Sequence, residues 1–308
     1  MGGIGYSIFA ASGLISLGVY SLVAAFNAFL QASPISNNGE SRHTAKPYHA
    51  VSAVHSPPES SGGGFWWSIK QRAVIYLVVF CLVVAILHDL ASAADFDPLV
   101  KGHTPVHRFT SLRSSAILLL FLVLTLSLVF IPSLDIRLFF SLLSATFLLQ
   151  STSSSNTSDL QGHLSSVSSR VGALSSFLSL ALAVNPKLFP FEVGLWASIV
   201  LQGFWNLQTG LFLYVDYFIP EGCHRLLDVP SGVDGSTKCE LEDSLLRAIA
   251  IADFVFVLYV LLVLIIVTTL YAILSKGCSG LRTRVASYDA LPTSECNVQM
   301  KTLAGTQA

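Results

Sequence analysis

Seven apolar blocks alternate with polar stretches along the chain. A helical membrane crossing takes about 20 apolar residues, within a range of about 17–25. Residues 4–30, 73–90, 114–131, 196–219 and 248–274 meet that length. Two other blocks, 136–150 and 168–185, are weaker. The first is strongly hydrophobic only between Arg137 and Gln150, and the second stops at Asn185-Pro186. Hydrocarbon offers the backbone no hydrogen bonds, so continuous apolar segments must satisfy their own amides as helices. The pattern therefore predicts an all-α, multi-pass helical membrane bundle (residues 1–275) with seven transmembrane helices, or five if the two short blocks do not cross. Either number is odd, so the termini fall on opposite sides.

Composition agrees. Hydrophobic residues make up 53% of the 308 and charged residues 11%, against about 25% charged in soluble domains. Mean hydropathy is +0.66. The net charge of −1 gives no electrostatic footprint for nucleic acid. The expected partners are the lipid bilayer and other membrane proteins. The first block has no basic residues before it and is too long for a signal-peptide core, so it reads as a retained span. Between the first two spans, residues 31–67 hold four prolines and the run Ser60-Ser61-Gly62-Gly63-Gly64, a composition expected to form a disordered loop. Phe65-Trp66-Trp67 before Lys70 and Arg72 has the make-up of an interfacial belt. A polar, disordered tail is expected over 276–308.

Lys and Arg near span ends set orientation. A cytosolic C-terminus places ten of the 17 on that side and seven on the other. Two further features fit this choice. The sequon Asn156-Thr157-Ser158 becomes non-cytosolic and a glycosylation candidate. Cys223 and Cys239 fall in one non-cytosolic loop, where a disulfide persists. Closing a loop of about 15 residues is worth about 3 kcal/mol in the chain-entropy model; two free thiols are the alternative.

The unusual chemistry lies in 196–219. Gln202, Asn206 and Thr209 sit at i, i+4 and i+7, on one helical face, flanked by Trp205 and Gln208. Amides in hydrocarbon are costly without partners. They either hold neighbouring helices, at about 0.6 kcal/mol per contact, or line a polar cavity. Gly203 and Gly210 allow close helix approach. Asp253, early in the last span, is an ionisable residue near the membrane and joins this candidate binding set. His88, His103, His107, His163 and His224 all fall on the non-cytosolic side or its membrane edge and could, with Asp89 and Asp216, hold a metal. Against that, Pro105 interrupts His103 and His107, and no tight ligand pattern exists. Scattered loop histidines are the plainer account, and no cofactor is expected. No nucleophile elbow, phosphate loop or dinucleotide fingerprint occurs, so no catalytic residue is assigned. Tyr288-Asp289-Ala290-Leu291 has the form of a tyrosine-based sorting signal, and Cys278 is placed for palmitoylation.

The runs LQGFWNLQTGLFLY from Leu201, FIPEGCHRLLDV from Phe218 and LRAIAIADFVFVL from Leu246 resemble the plant members of the transmembrane protein 45 family, viral-response-like multi-pass membrane proteins. The resemblance implies a membrane protein of the endomembrane system or plasma membrane with no established catalytic residues. Those proteins tend to carry a histidine-rich stretch of the form FHST followed by a histidine and EG-x-x-H. Here Gln150-Ser151-Thr152 and Gln161-Gly162-His163 stand in those places, and only His163 corresponds. The expected role is therefore non-enzymatic, through protein or lipid interaction, in stress or pathogen response as the resemblance implies. Two alternatives stay open: a transporter or lipid-binding protein using the polar face and Asp253, and a membrane-embedded metal-dependent hydrolase using the histidines.

Overall fold

The computed structural model describes residues 2–32, 64–94, 106–131, 134–152, 160–219, 222–225, 237–239 and 241–288. Among these, seven long helices form: α1 (Gly2–Ala32), α2 (Gly64–Ala94), α3 (Val106–Phe130), α4 (Ile136–Ser151), α5 (Leu160–Val184), α6 (Phe189–Tyr214) and α7 (Glu242–Tyr288). A 3-10 turn (Asp216–Phe218) and a short antiparallel ribbon, β1 (Cys223–Arg225) with β2 (Thr237–Cys239), join α6 to α7.

Local chemistry sets several boundaries. Asp135 caps α4 by accepting the Arg137 N–H at 3.0 Å, which satisfies one orphan donor of the first turn. Asn185-Pro186 stops α5, and the Asn185 side chain accepts the Lys187 N–H at 3.2 Å. Pro190 then opens α6, where its missing N–H costs nothing. The turn is so short that α5 and α6 must run antiparallel side by side.

Contacts show the same alternation throughout. Ser7 on α1 faces Gly210 on α6. Tyr6 stacks on His88 near the end of α2. Arg113 at the start of α3 reaches Thr152 past the end of α4. Ser144 on α4 meets Ser176 on α5, Ser175 on α5 meets Ser198 on α6, and Gln208 on α6 meets Tyr259 on α7. Seven helices alternating up and down put Gly2 and the C-terminal end of α7 at opposite ends of the bundle. They also bring Tyr6, His88, Arg113, His163 and Asp253 to one end, where α1, α3, α5 and α7 begin and α2, α4 and α6 finish.

The molecule is a helical membrane bundle. Five of its helices are long and apolar enough to cross a membrane: Ile4–Leu30, Ala73–Ala91, Ser111–Phe130, Leu160–Val184 and Glu242–Lys276. These are not the five that the apolar blocks suggest. The weak block at 168–185 is the end of a full 25-residue helix, whose serines dilute its apolar signal. The block at 196–219, which looks strong, belongs to α6, and α6 is not among the five. Its amides and Glu192 lower its hydropathy, yet thirteen of its 26 residues are buried. α6 is surrounded by protein rather than lipid. The 16 residues of α4 span only about 24 Å at 1.5 Å per residue, less than a bilayer core of about 30 Å. At the other end of the chain, no break falls at 275: α7 continues as helix to Tyr288, so the part of the expected disordered tail before residue 289 is helical.

The core is built on α6. α1 packs against it more extensively than any other pair of elements, because Gly18, Gly203 and Gly210 bring the backbones together. A Cβ added at Gly203 would lie 3.1 Å from the Ala11 carbonyl oxygen. On α6's other sides, Trp205 packs with Leu164, Val167, Phe212 and Ala252, and Leu195 packs with Phe140, Leu143 and Leu182. α2 and α7 present wide apolar faces outward, including Phe80, Leu87, Phe254, Leu261 and Ile265, as lipid-facing helices do.

Candidate functional site

The polar face of α6 does not act as one unit. Its residues divide among neighbours by their angle around the helix. Gln202, 8% exposed, donates from Nε2 to Ser168 Oγ on α5. Trp205 is fully buried and donates from Nε1 to the Leu164 carbonyl at 3.0 Å. Gln208 points the other way and accepts from the Tyr259 hydroxyl of α7 at 2.7 Å. Thr209 closes back on the Trp205 carbonyl at 2.9 Å. The bonds of Gln202, Trp205 and Gln208 are helix-to-helix glue, while that of Thr209 stays within α6. Asn206 takes part in none of them; it and Thr209 line a cavity.

That cavity has a volume of about 410 Å³ and lies among α3, α4, α5 and α6. Its α3 wall is mostly apolar, with Ile117, Leu118 and Phe121. The opposite wall is polar: Gln161, Ser165, Ser168 and Ser169 from α5, and Asn206 and Thr209 from α6. Leu164 of α5 and Leu213 of α6 lie among them, and Gln150 of α4 with Arg113 and Ser114 of α3 complete the lining. Arg113 is the one charged residue of the lining among the described residues. The side chain is exposed and held from one side only: Nη2 donates to the Thr152 carbonyl at 2.7 Å and to Thr152 Oγ1 at 3.0 Å. Gln202 touches this site from behind, through Ser168. Its Oε1 is buried with no hydrogen-bond partner among the described residues, a condition that costs about 1–3 kcal/mol.

Asp253 lies apart from the cavity set. Its Oδ1 is 2.9 Å from His163 Nε2, an ion pair or hydrogen bond joining α5 to α7, with the aspartate side chain 58% exposed. His88 engages Tyr6, ring centroids 3.9 Å apart, and lies 3.6 Å from Asp89. The two histidines thus serve different helix pairs. Among the described residues, no group of three or more His, Cys, Asp or Glu is placed to hold a metal. His103 and Asn156 lie outside the described residues, and so do the last three residues of the Tyr288–Leu291 signal. The side chains of His107, His224, Asp216 and Cys278 are outside them as well. Cys223 is disulfide-bonded, and the ribbon register sets Cys239 directly opposite it.

Three features escaped the sequence pattern. Arg113 reads as a flanking charge until α4 brings Thr152 to it. The run Ser165–Ser169 reads in sequence as polar loop or helix-start material, but Ser168 and Ser169 line the cavity; further along α5, Ser175 bonds Ser198 at 2.8 Å and Ser176 bonds Ser144 at 3.1 Å. Glu192 is 3% exposed in the first turn of α6, a buried acid whose apolar surroundings in sequence hide it.

Fold and composition together define a multi-pass helical membrane protein. Within it, residues 132–272 match the model of a family described as "Family of unknown function (DUF716)". That span holds α4, α5, α6, the ribbon and most of α7; α3, with Arg113, lies before it. No curated protein matches the chain.

Proposed function

We propose that this protein is a non-enzymatic membrane protein that binds a membrane amphiphile in the cavity between α3 and α6. One observation carries the reading: a ligand-sized space, within the range of about 300–1,000 Å³ typical of small-molecule sites, has one mostly apolar wall and one wall that carries hydroxyls and amides. An amphiphile laid along it would bury its chain on Ile117, Leu118 and Phe121. Its polar backbone would meet Asn206, Thr209 and the α5 serines. A transport path through Asp253 gains no support, because Asp253 is committed to His163 on the other side of α5.

The match over residues 132–272 and the runs at 201, 218 and 246 support kinship with the transmembrane protein 45 family, and with it a place in the endomembrane system or plasma membrane, with the site end non-cytosolic. The test is thermal unfolding of the detergent-purified full chain against a lipid panel, since a ligand of the folded state must stabilise it. Wild type gains stability with at least one lipid, and Asn206→Leu, which replaces an amide of the polar wall with an apolar side chain, loses that gain. A gain unchanged in Asn206→Leu would place binding elsewhere and end the proposal.

A further inference from the structure

We infer that the amphiphile is a single-chain lipid with an oxyanion headgroup, and that Arg113 selects it; this rests on the amphiphile-binding reading above. The first support is charge. Among the described residues the lining holds one cation, Arg113, and no acid, so none of them neutralises the guanidinium. The second is geometry. Thr152 takes only Nη2, from the backbone and hydroxyl of a single residue. A guanidinium carries five N–H donors in a fixed fork, so Nη1 and Nε stay available, and Thr152 fixes the plane in which they point. A planar, oriented fork pairs two-pronged with phosphate or carboxylate, which an ammonium headgroup or a neutral alcohol cannot match. The third is position. Arg113 precedes Ile117, Leu118 and Phe121 on one helix, so the cation lies at the rim and the apolar contacts extend about 12 Å deeper, at 1.5 Å per residue. Head at Arg113 and chain toward Phe121 is the orientation this order allows. The fourth is size. A volume of about 410 Å³ lies near the lower end of the ligand-site range, which favours one chain over two.

The matched probes are lysophosphatidate and monoacylglycerol, which differ in the phosphate alone, with inorganic phosphate as the third arm. Titrations follow the unfolding temperature of the full-length protein in one detergent. For wild type, lysophosphatidate binds more tightly than monoacylglycerol, and inorganic phosphate alone gives no comparable shift. R113Q weakens lysophosphatidate about tenfold or more, the loss of a charged hydrogen-bonded pair, and leaves monoacylglycerol unchanged. R113K keeps the charge without the fork, so it also loses lysophosphatidate affinity; it replaces R113Q if that variant does not fold. Equal binding of both lipids, untouched by R113Q, overturns the oxyanion inference and leaves the cavity reading standing. A shift from inorganic phosphate as large as that from lysophosphatidate overturns the lipid as the source. No binding of any lipid removes the cavity reading and the inference with it.

Discussion

Gly203 offers the sharpest test of how α1 and α6 are joined. A Cβ there would lie 2.7 Å from Ile15 Cγ1, 3.1 Å from the Ala11 carbonyl oxygen and 3.1 Å from the Ile15 amide nitrogen. Ile15 can turn its side chain, but the two backbone atoms move only if the helices part. Overpacking of this kind costs about 1–3 kcal/mol, while Gly→Ala inside a helix returns up to about 1 kcal/mol of propensity. Gly203→Ala is therefore expected to lose up to about 2 kcal/mol. Gly13 lies on the same α1 with its nearest neighbour, Cys81 Sγ, at 3.8 Å, an ordinary contact. Gly13→Ala is expected to gain up to about 1 kcal/mol from propensity alone. The assay is unfolding of both variants and wild type in one detergent at one scan rate, because apparent midpoints depend on the rate. The two substitutions must have opposite signs. A Gly203→Ala protein as stable as Gly13→Ala would refute the close-packed α1–α6 seam.

Other outcomes follow from the same geometry. Trp205→Ala, removing a fully buried indole, should cost about 3–5 kcal/mol and separate α5 from α6, seen as faster proteolysis of the α5–α6 region. Tyr259→Phe deletes one interhelical hydrogen bond and should cost only about 0.6 kcal/mol in the same unfolding assay; a loss above about 2 kcal/mol would contradict the glue role. Asp253→Asn breaks a half-exposed pair and should change stability by less than about 1 kcal/mol. Cys223→Ser should lower stability by about 3 kcal/mol in the chain-entropy model, with Cys239→Ser doing the same and the double variant adding nothing more.

Helical class was legible because hydrophobicity speaks directly to it. A run such as 248–274 has one stable state in lipid, whatever its neighbours. The candidate residues were legible only as types. Gln202, Asn206, Gln208 and Thr209 stand out because amides are rare in apolar segments, yet nothing in their spacing says which meets Ser168, which meets Tyr259 and which meets a cavity. Their sorting depends on where α5 and α7 lie around α6. α6 itself shows why hydropathy misjudges a helix wrapped by protein. Its polar content weakens it as a lipid-facing span and suits it to the centre, since buried amides find partners there.

The sequence by itself determined a multi-pass α-helical membrane protein with one amide-bearing apolar segment, because length and apolarity act locally along the chain. It also marked Cys223 and Cys239 as partners for closure. Only the tertiary structure decided that α6 is the hub, that α5 is a full-length helix, that Asp253 belongs to His163, and that Arg113, Asn206 and the α5 serines share one cavity. Those facts depend on contacts between residues far apart in the chain, such as His163 with Asp253 and Ser7 with Gly210, and such contacts are set by which helix faces pack together.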